Sequence, residues 1–189
     1  MKILDWNINN IKEIAKYLLE GGVVVLPTDT LYGLVARAED SKAVERVYSL
    51  KSRNPEKKCI VLICGYEDLD LFGIKLTEKQ RRFLQSHWPG KYSVELPCDS
   101  KKFEYLLRGT KTLSFRFPDD ELLCDLLAQT GPLIAPSANP EGLEPAKNIE
   151  VAKEYFGEGE ILYVDAKDKV SAPSTIVSLV GDMVEIIRS

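Results

Sequence analysis

The chain is poor in the residues from which most catalytic and metal centres are built. It carries one histidine, His87, and four cysteines, Cys59, Cys64, Cys98 and Cys124, none in a C-x-x-C pair. A zinc or iron–sulfur centre needs several soft ligands at short spacing, so neither is expected. Cys59 and Cys64 sit in an apolar run, where a thiol behaves as a small buried hydrophobe. A single histidine in an ordinary helical stretch, with no G-x-S-x-G elbow, also argues against a Ser–His–Asp triad. There is no G-x-x-x-x-G-K-S/T phosphate loop and no G-x-G-x-x-G after a strand. No apolar run approaches the ~18 residues that span a bilayer. Residues 1–10 lack the basic-then-apolar pattern of a secretory signal, so a cytoplasmic protein without a membrane partner is expected. Excess positive charge is missing too. The 25 Lys and Arg stand against 29 Asp and Glu, a net −4, so no global field draws the chain to nucleic acid. A local basic pocket remains open to it.

What is present is the balance of a globular domain. The 189 residues are 44% hydrophobic and 29% charged, enough for one domain with a sizeable core. No repeat, low-complexity stretch or linker divides the chain. The expectation is one domain over residues 1–189, with its core at 9–188 and no C-terminal extension. Residues 9–20 place Ile11, Ile14, Ala15, Leu18 and Leu19 on one helical face, and Gly21-Gly22 stops the helix. The run from Val23 to Leu26 reads as a strand buried on both faces and closed by Pro27. Further helices are expected over 41–50, 76–88, 119–129 and 149–156. Strands are expected over 59–64, 92–96, 112–117, 133–135, 161–164, 174–179 and 183–187, with residues 28–36 as a loop. Several strands have one polar face, and the last ones follow without helices. That pattern predicts an α/β domain whose twisted sheet mixes parallel and antiparallel strands.

Three stretches carry chemical potential. Pro27-Thr28-Asp29-Thr30-Leu31-Tyr32-Gly33-Leu34 follows a buried strand, where open α/β sheets bind ligands. It reads equally as a tight turn whose Asp and Thr side chains bond their own backbone. Lys51-Ser52-Arg53, followed by Lys57 and Lys58, gathers four cations near a helix end. That suits a polyanion, or a solvated helix terminus favoured by the macrodipole. Pro136-Ser137-Ala138-Asn139-Pro140 follows another buried strand, and Ser and Asn offer donors and acceptors for phosphate and ribose. Arg116 sits among apolar neighbours and needs a partner, supplied by a ligand carboxylate or by a protein Asp or Glu. Ser174-Thr175 by itself reads as a turn, and Arg188 as a chain end. With so few nucleophile–base pairs on offer, an enzyme of this composition would work by positioning substrates and stabilising charge.

In this order and spacing the chain resembles the YrdC/TsaC family of threonylcarbamoyl-AMP synthases, from Gly21 to Arg188. The landmarks are P-T-D-T-x-Y-G-L at residues 27–34, K-x-R at Lys51 and Arg53, and W-P-G at 88–90. R-x-P at 116–118, S-x-N at Ser137 and Asn139, and P-S-T at 173–175 complete the set. The resemblance implies a YrdC-like fold with a concave basic cavity. It also implies a nucleotidyltransferase that converts L-threonine, bicarbonate or CO2, and ATP into threonylcarbamoyl-AMP and pyrophosphate. Mg2+ would travel on the nucleotide, with no metal site of the protein's own. The product would pass to the machinery that makes threonylcarbamoyladenosine in tRNA. By the same analogy Lys51, Arg53 and Lys57 hold the triphosphate, Ser137 and Asn139 serve the α-phosphate and ribose, and Arg188 faces the nucleotide. Lys51, Arg53, Ser137 and Asn139 form the implied catalytic set. Thr30, Arg116 and Ser174 hold threonine, while Asp29 and Tyr32 shape their loop. Leu62 stands where many members carry histidine, Lys58-Cys59 replaces Pro-Leu, and Asp120 replaces a frequent histidine. The stretch 91–94 is nearer to the YciO paralogues. A YciO-like paralogue with altered activity, or an RNA- or nucleotide-binding module with weak RNA affinity, therefore stays open beside the synthase. A carbamoyl-transfer role like that of hydrogenase maturation factors lacks its accessory segments.

Overall fold

The computed structural model describes residues 2–157, 159–168, 171–181 and 183–189. In chain order the elements are β1 (Lys2–Asp5), α1 (Ile11–Leu19), β2 (Val23–Pro27), β3 (Tyr32–Arg37), α2 (Ser41–Lys51) and β4 (Ile60–Leu62). Then come α3 (Asp68–Leu71), α4 (Glu78–His87), β5 (Tyr92–Pro97), α5 (Glu104–Leu107), β6 (Thr112–Arg116) and α6 (Glu121–Thr130). The chain closes with β7 (Leu133–Ile134), α7 (Ile149–Phe156), β8 (Ile161–Asp165), β9 (Thr175–Ser178) and β10 (Glu185–Arg188).

The strands form one sheet ordered β1-β8-β2-β3-β7-β4-β6-β5-β9-β10. β1/β8, β8/β2, β4/β6 and β5/β9 run parallel, and the remaining neighbours run antiparallel. The mixed sheet expected from the sequence is what the fold contains. Successive residues of a strand face opposite sides, and β2 shows why it must be apolar throughout. Val23 and Val25 join the core beneath α2, α4 and α7, while Val24 and Leu26 join the core beneath α1 and α6. Helices therefore cover both faces. α1 meets the sheet with Ile11, Ile14, Ala15 and Leu18, and α6 packs beside it with Leu123, Leu126 and Leu127.

The stretch expected as a loop over 28–36 is corrected. Residues 32–37 form β3, paired antiparallel with β2, so the turn is confined to residues 28–31. Tyr32 and Gly33 look like turn residues in sequence, yet Tyr32, Leu34, Val35 and Ala36 are all fully buried. Gly33 is needed for close approach: a Cβ there would lie 3.3 Å from both Thr28 Cγ2 and Val35 Cγ1. β1, α3 and α5 were not anticipated. Each spans four residues, too short for a periodic signal.

Candidate active site

The turn after β2 is built by its own hydroxyls. Thr28 Oγ1 accepts from the amides of Thr30 (3.2 Å) and Leu31 (3.3 Å) and donates to the Leu31 carbonyl at 2.8 Å. This is the local side-chain-to-backbone turn that the sequence allows. It also directs Asp29 at the last residue of β6, so that Asp29 Oδ1 lies 2.9 Å from Arg116 Nη2, with both side chains no more than 5% exposed. Burial pulls the Arg116 guanidinium below its ordinary pKa, and Asp29 opposes that shift. Arg116 Nε is buried without a hydrogen-bond partner among the described residues. Beside it, Arg188 of β10 donates from Nη2 to the Ser174 carbonyl at 2.8 Å. The Ser174 hydroxyl lies 2.8 Å from that of Ser93, both buried.

The K-x-R and S-x-N stretches meet across 86 residues of sequence. Lys51 ends α2, and its ammonium donates to the carbonyl oxygens of Ser137 and Asn139. In return the Glu141 amide donates to the Lys51 carbonyl at 2.8 Å. Burial, and secondarily Arg53, pushes the Lys51 ammonium down to about 8. Ser137 Oγ donates to Asn139 Oδ1 at 2.6 Å, and Asn139 Nδ2 donates to the Leu143 carbonyl at 2.6 Å. Ser52 adopts a left-handed conformation, φ 48°, which turns the chain so that Arg53 leaves the helix axis. The Lys57 ammonium contacts Glu141 Oε1, and the Asn54 amide donates to Glu141 Oε2 at 2.5 Å.

Between these two assemblies lies a cavity of about 560 Å³. Of the nine residues to which the resemblance gives substrate-binding or catalytic roles, six line it: Thr30, Arg53, Arg116, Ser137, Ser174 and Arg188. The other three do not. Lys51 and Asn139 are buried behind the wall, and Lys57 stands outside it with Glu141. Sequence reasoning missed Glu144 and Lys147 on the wall, which no motif marked. It counted Lys58 as one cation among four, but Lys58 also lines the cavity while contacting Glu95 and the Thr112 hydroxyl. His87 is not among the lining residues; it stacks on Phe83 with ring centres 4.0 Å apart. Leu62 is fully buried in the apolar core under α1 and α6. Asp120 caps α6 by accepting from the Leu123 amide at 3.0 Å, a sufficient reason for an acid there. Among the described residues no three His, Cys, Asp or Glu side chains cluster as metal ligands. No helix among them is long and apolar enough to cross a membrane.

The family model of the Sua5, YciO and YrdC proteins, described as "Telomere recombination", matches residues 16–189. The chain belongs to this family. It is 29% identical over 180 residues to the threonylcarbamoyl-AMP synthase of Pyrococcus abyssi, covering 94% of this chain and 52% of that protein. It is 31% identical over 188 residues to the Bacillus subtilis synthase, covering 98% and 54%. The chain thus spans about half the length of these two relatives. The Chromohalobacter salexigens synthase is matched over most of its length, 32% identical with 90% of this chain and 93% of that protein covered. Among solved structures, P. abyssi Sua5 complexed with L-threonine superposes with a TM-score of 0.90 at 26% identity, over 99% of this chain and 56% of that one. Escherichia coli YciO gives 0.86 at 23%, over 100% and 93%, and shows the shared fold.

Proposed function

We propose that the protein is a nucleotidyltransferase that makes L-threonylcarbamoyl-AMP from L-threonine, bicarbonate or CO2, and ATP, releasing pyrophosphate. One observation carries the reading. Three arginines, Arg53, Arg116 and Arg188, line a single cavity together with Thr30, Ser137 and Ser174. A relative 26% identical to this chain has been solved with L-threonine, which supports placing the amino acid here.

In this reading the threonine amine captures CO2 as a carbamate and loses a proton to water. A carbamate oxygen then attacks the α-phosphorus, and the bond to the β-phosphate oxygen breaks as pyrophosphate leaves. Both reactants are anionic, so fixed cations must offset their repulsion. Arg116, which lines the cavity while its Nη2 pairs with Asp29, takes the threonine carboxylate. Thr30 and Ser174 orient the rest of the amino acid. Arg53 and Ser137 face the phosphates, and Arg188 bridges the two halves. Lys51, Asn139 and Lys57 serve the nucleotide through the loops they hold. Mg2+ would come bound to ATP and would offset charge on its phosphates. The product feeds the threonylcarbamoyl modification of tRNA in the cytoplasm.

The test is pyrophosphate release by the purified protein with Mg-ATP, omitting threonine or bicarbonate in turn. Release that requires both, with a product of threonylcarbamoyl-AMP mass, is the expected result. ATP binding without threonine-dependent release would overturn the synthase and favour a YciO-like paralogue, the reading that Leu62 suggests.

A further inference from the structure

Arg53 is held by residues that lie outside both the K-x-R and S-x-N patterns. Its Nη2 donates to the Lys58 carbonyl at 2.8 Å and its Nε to the Lys57 carbonyl at 3.3 Å. Tyr48, only 6% exposed, donates its hydroxyl to the same Lys57 carbonyl at 2.7 Å. Burial, with Cys59 beside it, pushes that hydroxyl well above the ordinary phenol range, so it stays a donor. The Arg53 guanidinium carbon lies 5.8 Å from the centre of the Tyr48 ring, and that of Arg108 lies 3.7 Å from it.

Arg108 ends α5 in a left-handed backbone, φ 51°, a common way to terminate a helix. Its Nε is buried without a hydrogen-bond partner among the described residues, which is a cost. Nη2 lies 2.7 Å from Glu45 Oε1, which fixes the guanidinium plane against the ring. A surface charge has no need of this arrangement; a planar cation stacked on an aromatic face does.

We propose that Tyr48 and Arg108 are positioning residues for Arg53: the stacked ring and its hydroxyl fix the Lys57–Lys58 carbonyls that aim the Arg53 guanidinium into the cavity. The inference rests on the reading that Arg53 faces the phosphates of ATP. It predicts that the two residues act as a unit, since Arg108 lies on the ring whose hydroxyl holds the Lys57 carbonyl.

The experiment is calorimetric binding of Mg-ATP, without threonine, to the wild type, Tyr48→Phe, Arg108→Ala and the double variant, with melting temperatures alongside. Losing one hydrogen bond of ordinary strength is expected to weaken Mg-ATP binding about threefold to tenfold in Tyr48→Phe. Arg108→Ala is expected to do the same, and the double variant to lose less than the product of the two. Arg108→Lys, which keeps the charge near Glu45 but loses the planar stack, is expected to restore stability and not affinity. Variants that melt lower yet bind Mg-ATP like the wild type would reduce both residues to core packing and overturn the inference. Multiplicative losses in the double variant would overturn the shared route. A wild type that binds no Mg-ATP would overturn this inference together with the synthase. A wild type that binds it, with these losses but no threonine-dependent pyrophosphate release, would overturn the synthase alone.

Discussion

At one wall of the cavity a guanidinium is held by a carboxylate on a buried strand end; at the other an ammonium is held by backbone carbonyls of a loop. Arg116 and Asp29 are each at most 5% exposed and lie 2.9 Å apart, so each charge contributes to compensating the other. Lys51 is equally buried but makes no salt bridge among the described residues, and its charge is met by the dipoles of Ser137 and Asn139. The two walls are therefore expected to fail differently. Removing one partner of a buried ion pair leaves the other charge less well compensated, a loss of about 3–5 kcal/mol. Asp29→Asn and Arg116→Met are therefore each expected to lower the unfolding free energy from denaturant titration by that amount. The double variant should recover part of the loss, because it leaves no lone charge. Equal losses in the singles and the double would mean that the pair does not carry this wall.

The Lys51 wall is expected to cost less. Lys51→Met keeps the length of the side chain and leaves two loop carbonyls without their donor, a loss of about 1–3 kcal/mol. Its pH dependence separates the walls further. Lys51 is pushed from 10.5 down to about 8, so between those values the unfolded chain binds more protons than the folded one. Stability then rises with pH across that window. Urea titrations at pH 8 and pH 10 should show the wild type gaining on Lys51→Met as pH rises. A gap that stays constant would mean that the ammonium is not desolvated.

Much of the sheet was legible because a strand buried on both faces must be apolar at every position, as Val23 to Leu26 are. α2 was legible by the same logic, from Ala43, Val44 and Val47 on one face. β3 was not, because its Tyr-Gly start mimics a turn and its burial depends on β2 and β7 lying beside it. The site divides the same way. Thr30, Arg53, Arg116, Ser137, Ser174 and Arg188 are marked by the family resemblance, Ser174 and Arg188 by that alone, and the fold brings all six to one cavity. What could not be read is which cation faces the cavity and which turns away. Lys51 and Arg53 are two residues apart, yet Lys51 points at carbonyls 86 and 88 positions further on. Arg108 lies on Tyr48 from a different helix end. Such choices depend on tertiary neighbours that no local spacing encodes.

The smallest effect belongs to Glu141, which ties the two motifs from outside the cavity. Its carboxylate accepts from the Lys57 ammonium and the Asn54 amide, and these hold its pKa below the ordinary carboxylate range. Contacts this open to water are screened by salt. Glu141→Gln should lower the melting temperature slightly at low ionic strength and not at high salt. Because the carboxylate is the depressed form, its contribution is present at neutral pH and fades as pH falls through its folded pKa. A large, salt-independent loss in Glu141→Gln would show that the Lys51 wall is held from its rim as firmly as from Lys51, and the contrast between the walls would then need redrawing around a charged clasp.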